Sequence, residues 1–182
     1  MVSIEKEKTT PVGYFGPLAE PPTSPLARDP YFSVAVGRPS YVSSLIPDDW
    51  EGPAPVANDG SRDNLHEKKV PQCTYTATGA TKGVHWWYVD LQGLYEVHAV
   101  TVTRRYATED SDFTDFRIVV SNSSLVGKNM TEYFQKSPGL CHNGTVIPVK
   151  TPTLTFQCEQ EIIGRYVVIM KSQLDKGIAL VV

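Results

Sequence analysis

The chain has 182 residues, 41% hydrophobic and 20% charged, with a formal net charge of −3 and an isoelectric point near 5.8. That length fits one domain with room for a sizeable core, and the acidic balance argues against a nucleic-acid or acidic-membrane partner. No apolar run approaches the roughly 18 residues a membrane span needs, and the charged start Met1-Val-Ser-Ile-Glu-Lys-Glu-Lys has no apolar segment of signal-peptide type.

Residues 1–30 read as a proline-rich linker: Pro11, Pro17, Pro21, Pro22, Pro25 and Pro30 interrupt any periodic pattern. From residue 31 to 182 the pattern changes to short apolar runs separated by turn residues. Asp48–Glu51 reads as one short helical turn, and no long amphipathic helix is evident. Strands are predicted over 84–91, 97–104, 115–121, 145–149, 152–157, 164–171 and 178–182, with Gly93, Gly127, Gly139, Gly144 and Gly164 as punctuation. The expected fold is all-β: an antiparallel jelly-roll β-sandwich of about eight strands.

Within that pattern, Cys73-Thr-Tyr-Thr76 is followed by His85-Trp-Trp-Tyr-Val-Asp-Leu91. In an extended chain Trp86 and Trp87 point to opposite faces, one into a core and one toward a rim. Asp90 interrupts the apolar run and needs a paired or hydrated partner. His66, His85, His98 and His142 are dispersed, without metal-ligand spacing to one another or to the cysteines. No nucleophile elbow and no phosphate loop is present, so the chain reads as a binding module and not an enzyme.

Asn122-Ser-Ser124, Asn129-Met-Thr131 and Asn143-Gly-Thr145 are three glycosylation sequons within 24 residues. Cys141 and Cys158 flank a 16-residue segment of hairpin character, a spacing that suits a local disulfide. Both features point to a secreted protein or an ectodomain, with the charged start marking a fragment that lacks its leader. Cys73 is the odd cysteine, left unpaired in this stretch. The sequence stops at Val182 inside an apolar run, so the partner of Cys73 and part of the last strand are expected beyond it. A buried thiol is the alternative.

The collinear order of Val36-Gly-Arg-Pro-Ser40, Ala57-Asn-Asp-Gly60, Cys73-Thr-Tyr-Thr76, Trp86-Trp-Tyr-Val-Asp-Leu91, Val97-His-Ala-Val-Thr-Val102, Arg104-Arg105, Asp115-Phe-Arg-Ile-Val-Val120 and Gly164-Arg-Tyr-Val-Val168 resembles the F-type lectins. These are fucose-binding relatives of the discoidin domains, and the resemblance spans roughly residues 33–182. It implies the sandwich fold, a bridged pair at Cys141 and Cys158, and a bond from Cys73 to the last strand.

The family holds its sugar with one histidine, two basic residues and a vicinal disulfide. Here the histidine position is Tyr75 and the first arginine is Arg105. The vicinal cysteines fall on Thr108 and Glu109, and the second basic residue on Asp112. The expected sugar contacts are therefore Tyr75, Arg105, Glu109 and Asp112, in a more acidic loop than the family's and with a ligand that need not be fucose. Tyr75 and Tyr106 offer stacking faces. The plain alternative for Arg105 is a surface ion pair with Glu109 or Asp110.

The resemblance also implies a calcium ion, with donors at Val56, Asp59, Ser61 and Gln72. Asp59-Gly60 suits an ordinary turn as well. The function so implied is noncatalytic extracellular carbohydrate recognition, with a glycan or glycoprotein as partner. The alternative is a protein-binding adhesion or receptor ectodomain that kept the fold and lost the sugar site.

Overall fold

A computed structural model describes residues 2–5, 33–44, 52–61, 73–76, 83–105, 113–148 and 150–172. Two strands of 20 residues organise it: β3 (Val84–Thr103) and β6 (Thr153–Ser172) run antiparallel along almost their whole length. Strands of that length exceed the usual span and serve two layers only if they bend. Register breaks between Asp90 and Tyr95, and between Val97 and Ala99, supply the bends.

The first half of β3 pairs with β2 (Ser40–Val42) and with the second half of β6. That half of β6 pairs on its other side with β4 (Thr114–Ser121), and β4 pairs with the edge strand β5 (Leu140–Val146). The second half of β3 pairs with the first half of β6 and with β1 (Val2–Glu5). All pairings between these described strands are antiparallel. Counting each long strand once per layer gives eight strand segments among the described residues.

The differences from the predicted elements have physical causes. The runs 84–91 and 97–104 form one strand, as do 152–157 and 164–171, because the intervening residues bulge without ending the pairing. Strand 145–149 is displaced to Leu140–Val146. Gly144 lies inside it, because a Cβ there would sit 2.0 Å from Phe116 Cζ. Val2–Glu5, read as part of a linker, instead adds an edge strand along Ala99–Val102. The remainder of that stretch, residues 6–30, lies outside the described residues, as do the turn expected at 48–51 and the strand expected at 178–182.

The core lies between the layers. Trp87, Val89, Leu91, Val100, Val102, Phe116, Ile118, Val167 and Ile169 are fully buried there, following the alternation of their strands. Trp87 is wholly enclosed and donates its Nε1–H to the Ala54 carbonyl at 3.0 Å, while Trp86 stacks on Tyr88 on the opposite face.

That outer face carries a second apolar cluster, covered by α1 (Met130–Lys136) through Tyr133, Met130 and Phe134. Asn129 caps the helix, its Oδ1 accepting from the backbone N–H groups of Thr131 and Glu132 at 3.1 and 3.3 Å. Arg117 lies over the Phe134 ring and donates to the carbonyl of Phe134 and to Ser137 Oγ, which ties the helix C-terminus to β4. The sheet returns through Gly139 at φ +77°, where a Cβ would meet the Val120 carbonyl at 2.1 Å.

Two side-chain devices fix the corners. Asp90 receives a two-pronged contact from Arg165, Nε to Oδ1 at 2.7 Å and Nη2 to Oδ2 at 2.8 Å. Those bonds hold the Asp90 carboxyl below its ordinary range. The Cys141–Cys158 disulfide forms as expected. It joins β5 to the first half of β6, which belong to opposite layers, so it ties layer to layer and does not close a hairpin.

Candidate functional site

Tyr75 and Arg105 come from segments whose neighbours are held inside. Thr74 and Thr76 are buried and Tyr75 between them is half-buried, the alternation of an extended segment. That segment is pinned by a bridge between Gly52 and Thr74 and by the Gly52 N–H, which donates to the Cys73 carbonyl at 2.9 Å. Cys73 itself is buried.

The same alternation separates the arginine doublet where β3 ends. Arg104 is fully buried and donates Nη1–H to the Ile147 carbonyl at 2.5 Å, while its backbone N–H donates to the Pro152 carbonyl at 2.8 Å. Arg105 is half-buried, and its guanidinium lies over the Tyr75 ring, 4.8 Å from the centroid. Such a contact contributes about 0.5–1 kcal/mol where water still reaches it. It sets a fork of N–H donors beside an aromatic surface. Two of the four residues expected at the sugar site are thus side by side; Glu109 and Asp112, with Tyr106, lie outside the described residues.

Three of the four expected calcium donors, Val56, Asp59 and Ser61, occupy a 3-10 turn (Ala54–Asn58) and its exit. Asp59 is exposed and its Oδ1 accepts the Ser61 N–H at 2.7 Å, with Gly60 at φ +96°, which is the ordinary Asp-Gly turn. Val56 is half-buried in the turn, Ser61 is exposed, and Gln72 lies outside the described residues. An exposed carboxylate with nearby carbonyl and hydroxyl oxygens is a hard-oxygen donor set and suits a calcium ion in kind.

What sequence reading missed here is Asn58. It is fully buried and donates Nδ2–H to the Ala35 carbonyl at 2.6 Å and the Arg38 carbonyl at 2.8 Å, while Oδ1 accepts from Ser40 Oγ at 2.9 Å. One carboxamide thus fastens residues 33–40 to the turn that carries Asp59. Its signal was an amide in the otherwise apolar run Pro53–Ala57, next to the Asp-Gly pair. The three sequon asparagines, Asn122, Asn129 and Asn143, are all exposed.

Residues 56–169 match the family model described as NedA-like, galactose-binding domain. The chain belongs to this family of galactose-binding domains. Within it the domain is of the F-type lectin and discoidin kind, as the relatives agree. Fucolectin-6 of Anguilla japonica is 30% identical over 139 residues, covering 75% of this chain and 66% of that protein. Fucolectin-4 of the same species is 32% identical over 120 residues, covering 65% of this chain and 59% of that protein.

This galactose-binding domain spans between 53% and 69% of the length of the fucolectins it matches. Among solved structures, the fucolectin from striped bass (Morone saxatilis) serum superposes with a TM-score of 0.64 at 23% identity, covering 81% of this chain and 45% of that one. A fucose binding module of Streptococcus pneumoniae superposes at 0.57 with 20% identity, covering 81% and 88%. At those identities the likeness speaks to the β-sandwich fold.

Proposed function

We propose that this domain is a noncatalytic carbohydrate-recognition module in which Arg105 donates to sugar hydroxyls and Tyr75 takes an apolar face of the ring. The observation that carries the reading is the guanidinium of Arg105 over the Tyr75 ring, at the end of segments whose neighbouring side chains are buried. A monosaccharide presents the same two chemistries, a rim of hydroxyls and a C–H face, so a donor fork beside an aromatic surface is a matching receptor. The relatives named fucolectin support the ligand class. Tyr75, in place of the family's histidine, argues for a ligand other than fucose in the family's geometry. Glu109 and Asp112 would add acceptors for hydroxyls. A calcium ion held by Val56, Asp59, Ser61 and Gln72 would neutralise the Asp59 carboxylate and stiffen that loop.

The Cys141–Cys158 bridge supports an oxidising compartment, hence a secreted or cell-surface protein. The exposed Asn122, Asn129 and Asn143 are then glycan acceptors.

The test is a glycan array probed with the folded, oxidised protein in calcium and again in chelator, alongside Arg105→Ala. Binding should weaken about tenfold or more in the variant, the loss expected for a charge-assisted hydrogen bond. A hit lost in chelator would support the calcium assignment as well. Silence from folded wild-type protein would overturn the sugar reading in favour of a protein ligand on the same surface.

A further inference from the structure

The second register break in the long strand pair brings together residues that sequence spacing kept apart. Val97 pairs with Ile162, but Ala99 pairs with Gln157, so His98 alone faces the four residues from Cys158 to Glu161. A bulge of that size turns side chains out of the regular alternation. This one is held at its start by the disulfide from Cys158 to Cys141.

Glu96 and His98, two apart on β3, share a face, and the bulge carries Glu161 onto it. One ligand atom from each of Glu96, His98 and Glu161 lies within 4.8 Å of the other two, with His98 Nδ1 3.4 Å from Glu161 Oε1. Glu96 and His98 are half-buried, and the Glu161 side chain is 65% exposed, so water reaches the cluster. His98 Nε2 is buried and has no hydrogen-bond partner among the described residues. The imidazole is thus held mainly on the side that faces the carboxylates.

We propose that Glu96, His98 and Glu161 form a binding site for a divalent cation of the zinc class. Zinc ligand bonds are about 2.0–2.2 Å to imidazole nitrogen and carboxylate oxygen, so a central ion requires ligand atoms roughly 3–4 Å apart. The His98–Glu161 separation already meets that. Side-chain rotations at Glu96 and Glu161 would bring the remaining ligand atoms into that range, and water would complete the coordination. The imidazole decides the class: it suits zinc, copper and nickel, whereas calcium takes six to eight oxygens. Bound there, the ion would join β3 to the bulge of β6 across a contact that lacks ladder hydrogen bonds. The site shares no residue with the Asp59 loop, and it does not rest on the sugar-binding reading.

The experiment is a calorimetric titration of the untagged, oxidised protein with Zn2+ in a non-coordinating buffer, repeated with Co2+ to record its d–d absorption. One ion per chain should bind, and the melting temperature should rise with it. Glu161→Gln, a change at an exposed position, should weaken binding about tenfold or more. His98→Ala should abolish it together with the cobalt spectrum, and His98→Asn serves should the alanine variant misfold. Millimolar Ca2+ should not displace the ion. Absence of saturable Zn2+ binding would overturn the proposal and leave His98 and Glu161 as an ordinary ion pair. Binding that survives both substitutions, or that Ca2+ displaces, would overturn it equally. Glycan binding should be the same in wild type and Glu161→Gln, which keeps this outcome separate from that of the sugar site.

Discussion

The Cys141–Cys158 bridge invites the most direct quantitative test of the architecture. It closes a loop of sequence separation 17 and joins β5 in one layer to β6 in the other. In the chain-entropy account, closing a loop of that length removes freedom from the unfolded chain worth about 3 kcal/mol at room temperature. For a domain of this size that corresponds to a fall in melting temperature of about 6–12 °C when the bridge is removed.

The perturbation should be Cys141→Ala with Cys158→Ala, since reduction alone would leave three thiols able to re-pair. Urea unfolding followed by tryptophan fluorescence is the suitable assay, because Trp87 is fully enclosed in the core. The midpoint should drop. The dependence on urea should steepen, because an uncrosslinked unfolded chain exposes more surface. Adding reductant to the double variant should change nothing further. An unchanged midpoint would refute the reasoning: the bulge at 158–161 and the β5 edge would then be positioned by packing alone.

Other perturbations test the remaining supports. Asn58→Asp places a carboxylate against the Ala35 and Arg38 carbonyls that now accept from the amide; it should cost about 3 kcal/mol or more, as for an uncompensated buried charge, against a smaller loss for Asn58→Ala. Chemical denaturation of the pair checks this, and equal stabilities would remove Asn58 from its role in fastening the turn. The depressed Asp90 carboxyl, bonded to Arg165, contributes stability that is fully present above the ordinary carboxylate range near pH 4, and that is lost as pH falls through the lower folded value. Stability measured from neutral to acid should therefore fall less steeply in Asp90→Asn than in wild type; parallel curves would count against the assignment.

Much of the fold was legible because strands of a sandwich alternate. Trp86 and Trp87 were readable as pointing to opposite faces, though not which of them enters the core. The apolar runs marked the central strands while placing the edge strand Leu140–Val146 too late and passing over Val2–Glu5. Oxygen donors around Asp59, the cysteine pair and the Tyr75 and Arg105 positions were likewise readable, as residue types in a collinear order. Helix α1 was not read, since seven residues give less than two periods of an amphipathic pattern. Its start was nonetheless marked: Asn129 with Glu132 three positions on is an N-cap signal as well as part of a sequon.

Only the tertiary structure decided what depends on register. Whether 84–91 and 97–104 are two strands or one bent strand turns on pairing with β6, which no local pattern encodes. The same pairing joins Cys141 to Cys158 across layers, sets Arg105 over Tyr75 while sending Arg104 inward, and gathers Glu96, His98 and Glu161 around a bulge. Sequence specifies which side chains a strand carries; the alignment of one strand against another, a sum over many weak contacts far apart in the chain, specifies which of them meet.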